Sequence, residues 1–101
     1  MVSDAELLRS AIAPRTLGER VRMRLSGGWT AAQTLERLPS DVREEWLGDG
    51  SIDAQRRAVD RVYRALLALA AEGAVRRTKV RYTMALNTKG PRDMLVDVFR
   101  P

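Results

Sequence analysis

The chain has 101 residues, enough for one domain with a single modest core, and carries 18 Lys and Arg against 13 Asp and Glu, a net charge of +5. It has no Cys and no His, which excludes disulfides, thiol nucleophiles, zinc-finger ligand sets and imidazole acid–base catalysis. The charge is one-sided: residues 1–50 hold seven Arg against eight acids, residues 51–101 hold eleven Lys and Arg against five acids, and none of those acids falls between Gly73 and Arg92.

The N-terminus, Met1-Val2-Ser3-Asp4-Ala5-Glu6, is acidic where a signal peptide is basic, and the longest apolar run, Ala65 to Ala71, is far too short to span a bilayer. No membrane partner and a cytoplasmic setting are expected. Ser3 and Glu6 have capping-box spacing and open a helix from Asp4 to about Ala13, interrupted by Pro14. Its Leu7, Leu8 and Ile12 make residues 1–14 either a homodimerisation arm or a helix folded back on its own core. Thr16 with Glu19 repeats the capping spacing, and Leu17, Val21 and Leu25 form one apolar stripe at i, i+4 and i+8 before Gly27-Gly28 ends that helix.

Trp29 is either a short strand residue or a staple on the next helix, which Thr30 and Gln33 open as a third capping box; Ala32, Leu35 and Leu38 point inward and Pro39 closes it. Ser40 caps a short helix over Asp41–Leu47, and Gly48 and Gly50 mark a turn. From Ile52 to Glu72 runs the clearest helix. At about 100° per residue, Val59, Val62, Tyr63, Leu66, Leu69 and Ala70 cluster on one side, with Arg57, Arg61 and Arg64 opposite. Gly73 stands where a helix end wants a left-handed residue.

Beyond Gly73 the period becomes two. Val80, Tyr82, Met84 and Leu86 alternate with Lys79, Arg81, Thr83 and Ala85; then Met94, Val96 and Val98 alternate with Leu95, Asp97 and Phe99. A register opposing Leu86 to Arg92 pairs Met84 with Met94, Tyr82 with Val96 and Val80 with Val98 on the buried face, and Arg81 with Asp97 on the other. The expected class is α+β, mainly helical, with four to five helices and a C-terminal two-stranded hairpin, in one domain over 1–101.

Two stretches, Trp29-Thr30-Ala31-Ala32-Gln33-Thr34-Leu35 and Leu66-Leu67-Ala68-Leu69-Ala70-Ala71-Glu72-Gly73-Ala74-Val75-Arg76-Arg77, taken with this element order, resemble the winged helix-turn-helix superfamily of bacterial regulators. The resemblance covers roughly residues 16–100. It implies a recognition helix at about 52–72, a wing at 74–100 and double-stranded DNA as partner. On the helix, Gln55, Arg56, Arg57, Arg61 and Arg64 would approach DNA; on the wing, Arg77, Lys79, Arg81, Lys89 and Arg92 would. Arg suits bidentate contact with guanine and Gln with adenine, and acid-free basicity fits a phosphate backbone. A nucleoid-associated regulator of transcription, binding as a homodimer, is the reading that follows. One departure is that Pro39 to Gly50 stands where a turn of a few residues is usual, so either an extra helical segment carrying Trp46 is inserted or the bihelical unit is remodelled.

The plainer alternatives are local. Asp53–Arg57, Arg56–Asp60 and Asp60–Arg64 have i,i+4 spacing and can form surface ion pairs. Edge strands carry Lys and Arg against aggregation. Trp29, Trp46, Tyr63 and Tyr82 fall where packing accounts for them, and Glu44 and Glu45, adjacent in sequence, point apart. No nucleophile–base set, phosphate loop or metal-ligand cluster is present, so neither catalysis, metal nor cofactor is expected. The alternative function is a winged-helix interaction module, docking on an acidic protein partner such as a polymerase, partition or condensation complex, with a phage or plasmid accessory protein fitting the size.

Overall fold

A computed structural model describes residues 2–86 and 90–101, with side chains at 2–81 and 95–101. Among the described residues, five helices precede two strands: α1 (Asp4–Ile12), α2 (Leu17–Ser26), α3 (Ala31–Glu36), α4 (Ser40–Leu47), α5 (Ile52–Ala71), β1 (Arg76–Leu86) and β2 (Gly90–Arg100). The strands pair antiparallel, giving a mainly helical α+β fold.

The helix starts follow the side-chain chemistry of their caps. Ser3 Oγ accepts from Glu6 N at 3.2 Å, Thr16 Oγ1 from Glu19 N at 3.1 Å, and Ser51 Oγ from Ala54 N at 3.1 Å. At α3 the box is reciprocal, since Gln33 Oε1 also accepts from Thr30 N at 3.0 Å. These bonds satisfy amide donors that the first helical turn leaves without partners. The end of α5 is closed by Gly73 in the left-handed region, φ +78°, with Gly73 N donating to Ala70 O and Ala74 N to Leu69 O at 2.9 Å. The segment between Pro39 and Gly50 holds a helix, α4, with Pro39 rather than Ser40 at its N-cap position and no side-chain cap.

The core joins Leu8, Ala11 and Ile12 of α1, Leu35 and Leu38 around α3, and Ala58, Val62, Leu66 and Leu69 of α5. Helix α1 therefore folds back on its own core. The buried side of α5 is turned from the expected direction toward Ala54 and Ala58, leaving Val59 and Tyr63 half-buried at its edge. Small side chains there let neighbouring helices approach closely, which outweighs the larger apolar residues on the flank. Ala32, expected inward, is exposed.

Helix α2 departs further from its pattern. Leu17, Val21 and Leu25 are 77%, 50% and 84% exposed, and Met23 is the buried residue of the helix. Its rotation is set by Glu19, which accepts from Arg15 N at 2.7 Å and pairs with Arg37. Glu19 and Met23 share one side of the helix, so fixing them inward turns the stripe to solvent. Arg37, just past α3, also donates to Ala11 O at 2.6 Å and Ala13 O at 2.9 Å, and its guanidinium lies 4.3 Å from the Trp29 ring centroid. One side chain thus ties the end of α1, the start of α2 and Trp29 together.

Hydrogen bonding by Arg37 and by Arg15 N holds the Glu19 carboxyl down from 4.5 to about 2. A depressed carboxyl contributes stability that is fully present above the unfolded-state value and is lost as pH falls through the folded one. The melting temperature is therefore expected to fall between pH 4.5 and about 2, with a shallower acid limb in Glu19→Gln. Circular-dichroism melts across that range check this, and equal limbs would remove Glu19 from the account.

The strand register differs from the expected one by two residues: Lys79 opposes Asp97, Val80 opposes Val96 and Leu86 opposes Gly90. A slip of two keeps every residue on its face, so the alternating pattern could not distinguish the two registers. The base of the hairpin is anchored by contacts that alternation does not show. Trp29 forms an isolated bridge to Phe99, with Trp29 N donating to Phe99 O at 2.9 Å and Phe99 N to Trp29 O at 2.8 Å. Its indole Nε1 donates to Ile12 O at 3.0 Å. Phe99, expected on the outer face, is fully buried in the core, with its ring edge-on to Tyr63 at 6.1 Å. Val98 is buried on the opposite face, so the base of β2 is covered on both sides. The side-chain pairings expected for Tyr82, Met84 and Met94 lie outside the described residues.

Candidate nucleic-acid interface

Helix α5 presents two flanks with different neighbours. Gln55, Arg56, Val59 and Tyr63 turn toward β2, where with Leu95 and Phe99 they line a groove of about 810 Å³. Arg57 and Arg61 lie on the other flank, away from the hairpin, because successive helical residues are about 100° apart. Asp49 lies on that side too. Its carboxyl is held below the usual range first by the Ser51 backbone N–H, then by the Ser51 hydroxyl, with a smaller contribution from the charge of Arg57.

The sequence groups Arg57, Arg61 and Arg64 as one basic face; their partners separate them. Arg61 donates to both Asp4 oxygens at 2.9 and 3.0 Å and its guanidinium lies 3.9 Å from the Trp46 ring centroid, joining α1, α4 and α5. Asp4 holds this guanidinium more firmly protonated. Arg64 pairs with Asp60 at 2.9 Å across one helical turn, with both side chains largely exposed. Gln55 Nε2 donates to Gly50 O at 3.4 Å.

The half-exposed Arg61–Asp4 pair contributes about 0.2–1 kcal/mol and the ring contact about 0.5–1 kcal/mol. Together these are about 0.7–2 kcal/mol, so Arg61→Ala is expected to lower the melting temperature by about 3–16 °C for a domain of this size. Thermal denaturation measures it; an unchanged transition would mean that the contacts hold nothing together.

On the hairpin, Arg76, Arg77, Lys79 and Arg81 are exposed. Arg77 Nη2 donates to Asp97 Oδ2 at 2.9 Å, and Tyr63 Oη donates to the same oxygen at 2.6 Å. Arg77 foremost, then Tyr63, lowers the Asp97 carboxyl, while the carboxylate raises both the Tyr63 hydroxyl and the Arg77 guanidinium. Asp97 is thus paired diagonally with Arg77 instead of laterally with Arg81, as the two-residue shift requires. Arg92 stands on β2 opposite Met84; its side chain and all of Lys89 lie outside the described residues.

Of the residues expected at DNA, Gln55 and Arg56 come to the groove beside the hairpin, with Arg77 joined to the groove-lining Tyr63 and Asp97. Arg57 and Arg61 do not. Arg64 is on the outer side of α5, and Lys79 and Arg81 are on the strand. The sequence reading missed the Tyr63–Asp97–Arg77 set, which only the register reveals, and Ile52 and Leu95, exposed apolar residues at the groove. Arg37 carried no signal, since a lone Arg after a short helix is unremarked by any periodicity.

Among the described residues, no group of three His, Cys, Asp or Glu is placed to hold a metal ion, and no helix is long and apolar enough to cross a membrane. Comparison with protein-family models, curated proteins and solved structures gives no match to this chain.

Proposed function

We propose that the chain is a winged-helix protein that binds double-stranded DNA and acts as a small regulator of transcription, with α5 as recognition helix and the β1–β2 hairpin as wing. The observation that carries this reading is the exposed basic row Arg77, Lys79 and Arg81 on β1, on the same face of the hairpin as Leu95 and Asp97, which with Gln55 and Arg56 of α5 line the groove. Strand β1 carries no acid, so this row offers a phosphate backbone little to repel it, and the groove-lining Asp97 of β2 is engaged by Arg77 and Tyr63. Eleven residues per strand at about 3.3 Å each make a hairpin about 36 Å long, roughly one turn of duplex.

Roles divide by chemistry. Lys79 and Arg81 would hold phosphates and set orientation without reading sequence. Arg56 and Gln55, on the wing-side flank, replace Arg57 and Arg61 as the residues to read base edges, Arg toward guanine and Gln toward adenine. Arg61 serves instead as a brace that holds α5 against α1 and α4. Binding as a homodimer to a palindromic site belongs to the same reading, with the contact placed elsewhere than α1, whose apolar side is used internally.

Fluorescence anisotropy with labelled random duplex, followed by selection of bound duplexes from a random pool, tests the proposal. Binding that is strong at low salt and yields an enriched site is expected. Absence of binding at low salt would overturn it.

A further inference from the structure

The α2 surface is unused by the DNA reading, and it has two properties that a merely solvated helix does not need. Its ridge is aliphatic, with Leu17, Val21 and Leu25 largely exposed. Its flanks are all arginine: Arg20 and Arg24 on one side, Arg22 on the other. The ridge borders a groove of about 550 Å³ where Arg20 and Arg24 meet Arg100 of β2 against Leu17, Val21 and Met23.

The positive charge here is under-compensated. Arg100 Nε is cut off from solvent and finds no acceptor among the described residues. Directly opposite it across the sheet stands Arg76, a like-charged pair that destabilises a ladder unless an anion lies between or beside the two. Glu19, the acid of α2, is already engaged by Arg37 on the inner side. A groove with an apolar wall and three guanidinium groups is complementary to a ligand that is itself apolar and anionic.

We infer that the α2–β2 groove docks an acidic amphipathic segment of a partner protein, its aliphatic side chains on the Leu17–Val21–Leu25 ridge and its carboxylates on Arg20, Arg24 and Arg100. A second copy of α2 fits poorly. About a two-fold axis, in either direction, arginine flanks meet arginine flanks, and like charges across an interface oppose association. Duplex DNA fits poorly too, because its phosphates leave the aliphatic ridge without a counterpart. A flat anionic bilayer cannot follow the concave floor that carries Arg100.

The test uses the full chain and two labelled helical peptides with the same leucine spacing, one flanked by Glu and one by Lys, read by fluorescence anisotropy. The Glu-flanked peptide is expected to bind at least about tenfold more tightly than the Lys-flanked one. Leu17→Ser with Val21→Ser, and separately Arg24→Glu, are each expected to weaken it about tenfold or more, while Lys79→Glu on the hairpin leaves it unchanged. All these side chains are exposed, and circular dichroism confirms that each variant is folded. Equal affinity for the two peptides, or binding indifferent to the Ser pair, overturns the proposal. So does displacement of the peptide by duplex DNA at equal charge, or preferential binding to vesicles of phosphatidylcholine and phosphatidylserine. A dimer seen by light scattering and abolished by the Ser pair would place a second copy on this face and overturn it as well. Loss of DNA binding with peptide binding intact leaves this inference standing and removes the proposed function.

Discussion

Raising salt from 50 to 200 mM is expected to weaken duplex binding by about 500-fold. The reasoning is counterion release: each phosphate neutralised by Lys or Arg steepens the log–log salt slope by about 0.9, so roughly five contacts give about −4.5. Lys79 and Arg81 on the hairpin and Arg56 on α5 can supply contacts of this kind. Lys79→Ala should weaken all duplexes alike and flatten the slope by about one contact. Arg56→Ala should cost about 1–3 kcal/mol on the preferred site and relax preference at one position. Arg61→Ala should change affinity little per folded molecule, because its guanidinium is held by Asp4 and Trp46 on the far flank. A salt titration of these three variants therefore separates reading, positioning and bracing. A flat salt response would sink the electrostatic account, and a loss of base preference in Arg61→Ala with an unchanged melting temperature would reverse the assignment of flanks.

The features legible in the sequence are those decided within a few residues. Ser3, Thr16, Thr30 and Ser51 cap because a short polar side chain reaches an amide three residues on. Gly73 ends α5 because the chain there turns left-handed. Periodicity also placed the hairpin and the parity of its faces. It failed where distant partners decide. Helix α2 has a stronger apolar stripe than inner side, yet the Glu19–Arg37 pair and Met23 set its rotation. Alternation cannot see a two-residue slip, nor the bridge that Trp29 makes to Phe99, seventy residues away. The candidate site suffered from both limits. A 100° step moves a helical arginine from the hairpin side to the α1–α4 side, so Arg56 and Arg57 part company although they are neighbours in sequence. The same physics links the two surfaces: fully burying a Leu or Val side chain stabilises by about 1.5–3 kcal/mol, and α2 leaves three such residues largely uncovered.

Gly28→Ala is expected to be the most damaging glycine-to-alanine change among the described residues. Gly28 adopts φ +139°, a conformation that L side chains rarely take, and a Cβ there would lie 2.7 Å from the Phe99 carbonyl carbon and 3.1 Å from its nitrogen. Those atoms belong to the backbone that exchanges both hydrogen bonds with Trp29, so no flexible side chain can move aside. Strain of about 1–3 kcal/mol adds to overpacking of about 1–3 kcal/mol. The sum, about 2–6 kcal/mol, lowers the melting temperature by about 8–48 °C in a domain of this size. Gly73→Ala is the control: its φ is +78° but nothing lies within 4 Å of a Cβ, so it carries the left-handed cost alone, about 1–2 kcal/mol. A Gly28→Ala transition within about 5 °C of the unsubstituted chain would mean that the Trp29–Phe99 bridge does not anchor the hairpin. If it does anchor it, the folded fraction of the variant should also lose duplex affinity, because the bridge sets the angle at which the basic strand stands beside α5. The Gly73 variant should bind as the parent chain does.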